Sequence, residues 1–324
     1  MRRHADGRPI LLDLLAKVLY VDLAGGSEDC VLVAGAGRSG TTWVMELVNA
    51  NRDHRVVFEP FASHRVRALR GFPREPYIRP DDRDPEVVAH IDRIVSGRYR
   101  SWWTDQHNRT FVCRKRLIKA IRANLCLGFI RRRCPRMPII LLVRHPCAAA
   151  RSMVRLGYGS YPMDVFSDQA ELVEDHLAPY LDLLRSTEDF FDQRVLRWCI
   201  QHKVMFSQLT EGDVHLMFYE ELCTDPSRSF AQMCSYLGRP YDHNMRKAVH
   251  RPSRLSADHS EILGGSASPD AWREGVSAQQ AERAMGFLET FGLGDLYSSE
   301  GMPNRAAAES RLTANAAQRS PGAG

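Results

Sequence analysis

The sequence predicts an α/β fold, a three-layer arrangement with a central, mostly parallel sheet of about five strands and a phosphate-binding loop of the P-loop type. Three observations carry this. Five short apolar runs rich in β-branched residues alternate with helical patterns. The runs are apolar throughout instead of alternating with polar residues, as expected of strands covered on both faces. The first of them leads directly into a glycine-rich turn and a helix start, where backbone N–H groups can wrap an anion.

The elements follow in order. A strand over 31–34 runs into the turn, and a helix over 42–51 carries Met45, Leu47 and Val48. The second strand, 56–58, precedes an insertion over 60–109 with five prolines, many arginines and the aromatics Tyr99, Trp102 and Trp103. So long an irregular stretch with aromatics to pack is expected to form a lid or acceptor wall. Further strands are expected over 110–113, 139–143 and 214–218. Helices are expected over 117–133, 147–156, 168–186, 193–210, 227–237 and 278–291. One domain then covers 30–300, preceded by a leader helix or arm over 1–29. The Ala/Ser/Asn-rich tail over 301–324 is expected to be disordered.

Composition narrows the class. With 324 residues and a net charge of +5, the chain suits an anionic ligand but lacks the basicity of a nucleic-acid binder, and no nucleic-acid partner is expected. Eight scattered cysteines without a CxxC pair read as reduced thiols, which implies a cytoplasmic setting. No apolar stretch is long enough to span a bilayer, and Asp13, Lys17 and Asp22 interrupt the leader, so no stable membrane insertion is expected.

The turn itself is Gly37-Arg38-Ser39-Gly40-Thr41-Thr42. In nucleotide hydrolases a lysine follows the second glycine of this loop. Here Thr41 stands there, and the positive charge sits at Arg38. Such a loop suits a phosphate without the β/γ pair of ATP. A second anion site is suggested where strand 139–143 ends in Arg144-His145-Pro146, with Arg151 and Ser152 on the helix that follows. Two separated phosphate sites on one sheet imply a ligand with two separated phosphates.

Together these segments resemble the sulfotransferases that use 3′-phosphoadenosine 5′-phosphosulfate. Gly37 to Trp43 is similar to their 5′-phosphosulfate loop, and Arg144 with Ser152 is similar to their 3′-phosphate motif. Phe218-Tyr219-Glu220-Glu221-Leu222 resembles their post-strand segment, whose tyrosine lies near the adenine. Arg251 to Arg254 fall where the family has a late cofactor loop. The resemblance covers roughly 30–297 and implies sulfuryl transfer from that donor without a metal ion. Donor-binding roles fall on Gly37, Arg38, Ser39, Gly40, Thr41, Thr42, Arg144, Ser152, Tyr219 and Arg254, and Arg38 would bridge the leaving phosphate and the transferring group.

A hydroxyl acceptor needs a general base. Glu59, at the carboxyl end of the second strand, is the candidate, because Phe58-Glu59-Pro60-Phe61 resembles carbohydrate-directed members with an acidic base near this point. Simple pairing of Glu59 with an arginine of the insertion is the competing reading. The histidine that cytosolic small-molecule members carry after their third strand is absent from Val112 to Lys119. Lys119, or else Lys115, is the candidate for stabilising charge on the bridging oxygen, and His64 and His107 are fallback bases. The implied acceptor is a hydroxyl-bearing sugar or glycoconjugate, with Tyr99, Trp102 and Trp103 as stacking surfaces. The alternatives are a phosphate-loop kinase, which needs a lysine and a metal-holding carboxylate not evident here, and a non-catalytic nucleotide-binding protein of the same fold.

Overall fold

The computed structural model describes residues 10–249, 269–298 and 301–319. Its large sheet has five strands, all parallel. In chain order these are β2 (Cys30–Gly35), β3 (His54–Phe58), β5 (Lys115–Ala120), β6 (Ile139–Val143) and β7 (His215–Phe218), in the spatial order β3-β5-β2-β6-β7. Helices cover both faces, and two apolar clusters fill the layers. One is built around Leu32, Ile118, Leu141 and Trp198, the other around Val33, Trp43, Leu142 and Phe230. Neighbouring side chains on each strand thus enter opposite cores, which is why the strands read as unbroken apolar runs.

The third expected strand is corrected. Residues Val112–Cys113 (β4) only pair with Val21–Asp22 (β1) in a separate two-stranded ribbon. The strand of the main sheet is β5, whose last four residues fall within the helix expected over 117–133; the helix itself is Leu127–Arg133. The charges of Lys-Arg-Leu-Ile-Lys-Ala disguised it. Leu117 and Ile118 are buried in mid-sheet, while Arg116 and Lys119 find buried ion-pair partners in Asp22 and Glu59. The expected helix over 168–186 is broken into short helical pieces around a π-helical turn at Val173–Leu177, with Pro179 in the 3-10 turn that follows.

The tail expected to be disordered is a helix from Arg305 to Arg319. Ala308 and Leu312 are buried, and Asn315 donates to the carbonyls of Phe206 and Leu209. Arg305 pairs with Glu221. Two buried apolar side chains and local ion pairs suffice here because the helix docks on an existing surface, a signal that mean polarity hides. Leu312→Ala is expected to lower stability by about 2 kcal/mol or more, the usual cost of a buried leucine truncation. An unfolding titration reads this, and a change below about 0.5 kcal/mol, typical of surface sites, would show that the helix contributes no packing.

At the amino end of the sheet, Arg55 and Arg116 are fully buried and share Asp22, with Asp105 also on Arg55. This cluster ties the leader and the insertion to β3 and β5, away from the edge where a ligand would sit. No helix among the described residues is long and apolar enough to cross a membrane. None of the eight cysteines, all among the described residues, forms a disulfide.

Candidate active site

Because the five strands run parallel, their carboxyl ends share one edge. A cavity of about 580 Å³ lies there, lined by residues just past each strand: Arg38, Glu59, Ile121, Arg144 and Tyr219. A second cavity, about 670 Å³, lies between β7 and the C-terminal helix and holds none of the residues expected to be functional.

The loop after β2 has the conformation its glycines allow. Gly35 sits at φ 144°, and a Cβ there would lie 2.2 Å from the Leu142 carbonyl oxygen. Its N–H donates to Asn124 Oδ1 at 3.2 Å. Gly40 caps the helix Thr41–Val48 at φ 95°, with Tyr219 packed so closely that a Cβ would meet its ring at 2.8 Å. The first N–H groups of that helix have no intrahelical acceptor and point toward the cavity end of the loop. Gly37, Arg38, Gly40, Thr41 and Thr42 all line the cavity. Ser39 does not. It is fully buried, and its hydroxyl and N–H both donate to the Ala36 carbonyl at 2.6 and 3.2 Å, so it braces the loop from behind.

Arg38 itself is left-handed at φ 68°, an uncommon conformation for a side-chain-bearing residue. Its Nε donates to the Ser152 hydroxyl at 3.1 Å, across 114 residues of sequence. Arg144 donates from Nη1 to the Arg38 carbonyl at 3.0 Å and lies 3.9 Å over the Tyr219 ring. The two segments expected to hold separate phosphates are therefore joined into one basic wall. Burial, reinforced by the Arg144 charge, holds the Arg38 guanidinium below its ordinary pKa.

Arg144 is held from behind. Trp198 Nε1 donates to its carbonyl at 2.9 Å. The next residue, His145, stacks on Trp272 at 4.5 Å and donates its backbone N–H to Glu220 at 2.8 Å. Burial pushes the His145 imidazole down to about 3 and the Glu220 carboxyl up to about 7. His145 is thus a neutral packing residue. Pro146 opens the helix Pro146–Arg155 at its first position, where no N–H is needed, and Ser152 lies on its second turn.

Glu59 follows β3 at φ 45° and is 2 % exposed. Register sets its partner. Phe58 pairs with Lys119 across the sheet, and Glu59 N–H donates to the Lys119 carbonyl at 2.8 Å. The carboxylate accepts from Lys119 Nζ at 2.5 Å and from the Ile121 N–H at 3.2 Å, with Arg122 Nη1 at 3.6 Å. Glu59 is therefore ion-paired, as the competing reading expected, and also lies on the cavity wall with Lys119. Trp103 Nε1 donates to its carbonyl at 3.2 Å, holding the strained turn.

Other expected residues separate. Lys115 is exposed at the far end of β5, outside the cavity. His64 lines the cavity, whereas His107 packs on Phe58 at 4.4 Å behind it. Of the three aromatics, only Trp103 reaches the cavity; Tyr99 packs against the core, and Trp102 is 63 % exposed beside Lys17. Arg254 and the segment around it lie outside the described residues.

Several cavity residues carried no sequence signal. Arg194 and Arg197 lie on the helix Phe190–Gln208 and are buried. Glu75, from the insertion, takes Arg197 Nε at 2.5 Å and the Tyr161 hydroxyl at 2.5 Å. Arg122 and Tyr158 complete this wall. Their contacts join segments up to 122 residues apart, as in the Arg197–Glu75 pair, so no local spacing could announce them.

Solved structures of similar shape include three sulfotransferases. The mouse sulfotransferase SULT7A1 complexed with PAP aligns over 93 % of this chain and 92 % of its own, at 14 % identity and a TM-score of 0.45. The sulfotransferase domain of the Synechococcus PCC 7002 olefin synthase aligns over 85 % and 95 %, at 14 % identity and a TM-score of 0.43. The sulfotransferase from Alicyclobacillus acidocaldarius aligns over 86 % and 97 %, at 14 % identity and a TM-score of 0.43. No protein of curated function matches the sequence. Residues 30–243, about two thirds of the chain and all five strands of the large sheet, match the sequence profile of the sulfotransferase family, and the chain belongs to that family.

Proposed function

We propose that this chain transfers a sulfuryl group from 3′-phosphoadenosine 5′-phosphosulfate to an acceptor hydroxyl, with a sugar or glycoconjugate as the acceptor. The observation that carries the reading is the arrangement of one cavity. The Arg38–Ser152–Arg144 cluster and the loop N–H groups form one side, and the Glu59–Lys119 pair stands on another. The donor set fits such a nucleotide. A loop and helix start suit one phosphate, the adjoining Arg144 guanidinium and Ser152 hydroxyl suit a second, and Tyr219 presents a ring beside them. The reading assigns no role to a metal ion. The alternatives of a kinase and of a non-catalytic nucleotide-binding protein have no observation of their own in their favour.

The donor supplies an activated sulfuryl group. The acceptor oxygen forms the new bond to sulfur, the bond from sulfur to the 5′-phosphate oxygen breaks, and that oxygen leaves with the electron pair. Arg38 and the loop N–H groups stabilise charge developing on the leaving phosphate. Glu59 receives the acceptor's proton. Lys119, already on the Glu59 carboxylate, offers its ammonium to the bridging oxygen as the carboxylate becomes neutral. Trp103 and Phe58 give the acceptor flat apolar faces next to the base.

Calorimetry with adenosine 3′,5′-bisphosphate tests the reading. The protein is expected to bind it, and Arg144→Ala is expected to weaken binding about tenfold or more, the range for hydrogen bonds to charged groups. Absence of binding to the unaltered protein overturns the assignment. Transfer of radiolabelled sulfur from the donor to an acceptor panel then separates an enzyme from a binding protein.

A further inference from the structure

Most of the protein's exposed apolar surface lies in one place. Of the fourteen large apolar side chains exposed among the described residues, ten fall on the leader or beside it. Helix periodicity says why. The helix Ile10–Leu15 continues as hydrogen-bonded turns to Leu19. Ala16 and Tyr20, four apart, face the protein. Ala16 is fully buried, and its carbonyl accepts from Asn108 Nδ2 at 2.7 Å. Tyr20 lies between the Arg55 and Arg100 guanidiniums, at 4.9 and 4.4 Å. The outer arc carries Leu11, Leu14, Leu15 and Val18 at the i, i+3, i+4 and i+7 positions, flanked by Leu12 and Leu19. These six are 38–62 % exposed. The leader thus docks through an alanine and a tyrosine and turns its leucines outward.

The β1–β4 ribbon extends this arc. Asp22 and Cys113 point inward, Asp22 onto Arg55 and Arg116, so Val21, Leu23 and Val112 are left on the outside. Trp102 closes the patch beside Lys17, and the next residue, Trp103, lines the cavity. So extended an exposed apolar surface on a folded domain marks an interaction site.

Charge identifies the partner. Lys17, with Arg100 and Arg114 at exposed positions, rims the patch. Arg2, Arg3 and Arg8 precede it in the sequence. Asp22 is neutralised inside the protein, which leaves Asp6 and Asp13 as the acids opposing the leader's four basic residues. A leucine-rich arc rimmed by cations matches the surface of an anionic bilayer. There apolar side chains enter the acyl boundary, while lysine, arginine and tryptophan sit at headgroup level. A second copy of the chain fits less well, because a two-fold contact would set one basic rim against another.

We infer that the leader patch is a peripheral docking surface for anionic lipid, lying on the bilayer without crossing it. The inference does not depend on the sulfuryl-transfer reading. Through Trp102 and Trp103 the patch borders the cavity, so docking brings a lipid surface close to the site.

Sedimentation of the full chain with sucrose-loaded vesicles tests this. Vesicles of phosphatidylcholine with about 30 % phosphatidylserine are expected to bind the protein about tenfold or more tightly than phosphatidylcholine alone. Leu14→Gln combined with Val18→Gln, both at exposed positions, is expected to weaken binding to the mixed vesicles about tenfold or more. Lys17→Gln combined with Arg100→Gln should also weaken it about tenfold and remove most of the preference for phosphatidylserine. Thermal unfolding checks that both variants fold as the unaltered protein does. No sedimentation with the mixed vesicles, equal binding to the two vesicle types, or binding that Leu14→Gln with Val18→Gln leaves unchanged overturns the proposal. So does a dimer in analytical ultracentrifugation that the same two substitutions dissociate, since the patch would then belong to a second copy.

Discussion

Glu59→Gln is expected to lower kcat by about 10²- to 10⁴-fold, the usual contribution of a positioned general base. The Kd for adenosine 3′,5′-bisphosphate should stay within about threefold, because the loop cluster that would hold the bisphosphate does not touch the carboxylate. The amide keeps the shape and the acceptor for the Ile121 N–H but cannot take a proton. A second effect accompanies it. Lys119 is buried beside Glu59 at 2.5 Å, and removing its anion leaves an uncompensated ammonium, which costs about 3–5 kcal/mol in buried pairs. Lost stability and lost chemistry must therefore be separated. Glu59→Gln combined with Lys119→Met removes both charges and should recover much of the stability without recovering turnover. If the single variant turns over at the unaltered rate, the Glu59–Lys119 pair is structural and the base lies elsewhere, with His64 the next candidate on the cavity wall.

The left-handed backbone of Glu59 supports the same expectation. A glutamate at φ 45° occupies a conformation that costs about 1 kcal/mol or more and persists only where surrounding contacts hold it. Here the Trp103 indole and the β5 register hold it. Arg38, also given a chemical role, shares this property at φ 68°.

Four of the five strands, the loop and the Arg144–Ser152 segment were legible in sequence because each is specified locally. A β-branched run makes a buried strand, glycines at fixed spacing make the turn, and proline marks the helix start. What escaped was specified at a distance. Strand β5 looked helical because its charges are neutralised by Asp22 and Glu59, residues remote in sequence. Ser39 carried the family's phosphate-binding spacing, yet its hydroxyl turns back to Ala36 and stiffens the loop. The tail appeared too polar to fold, but two buried side chains dock it. Arg74, Arg122 and Arg194 lie on three separate segments, and only the fold brings them to one cavity.

The missing lysine of the loop leads to the second large effect. Arg38→Ala is expected to lower kcat/KM by about 10²- to 10³-fold, comparable to losing one preorganised donor at a developing anion. Affinity for adenosine 3′,5′-bisphosphate should fall less, about tenfold. The asymmetry follows from position. In the ground state Arg38 is already engaged through Nε with Ser152 at 3.1 Å, so part of its donor capacity is spoken for, while the remaining N–H groups face charge that grows only as the sulfur–oxygen bond breaks. Arg38→Lys discriminates between charge and geometry. It keeps the cation but loses the planar fork that spans Ser152 and the leaving phosphate, so it should restore bisphosphate affinity more than rate. Alanine at this position also inherits the strained φ, and for that reason the lysine variant, with a similar backbone cost, is the fair reference for both kinetic constants. Equal rate losses in the alanine and lysine variants would assign the effect to the fork, and unchanged kcat/KM in both would remove Arg38 from the chemistry and leave the loop as an anion cradle alone.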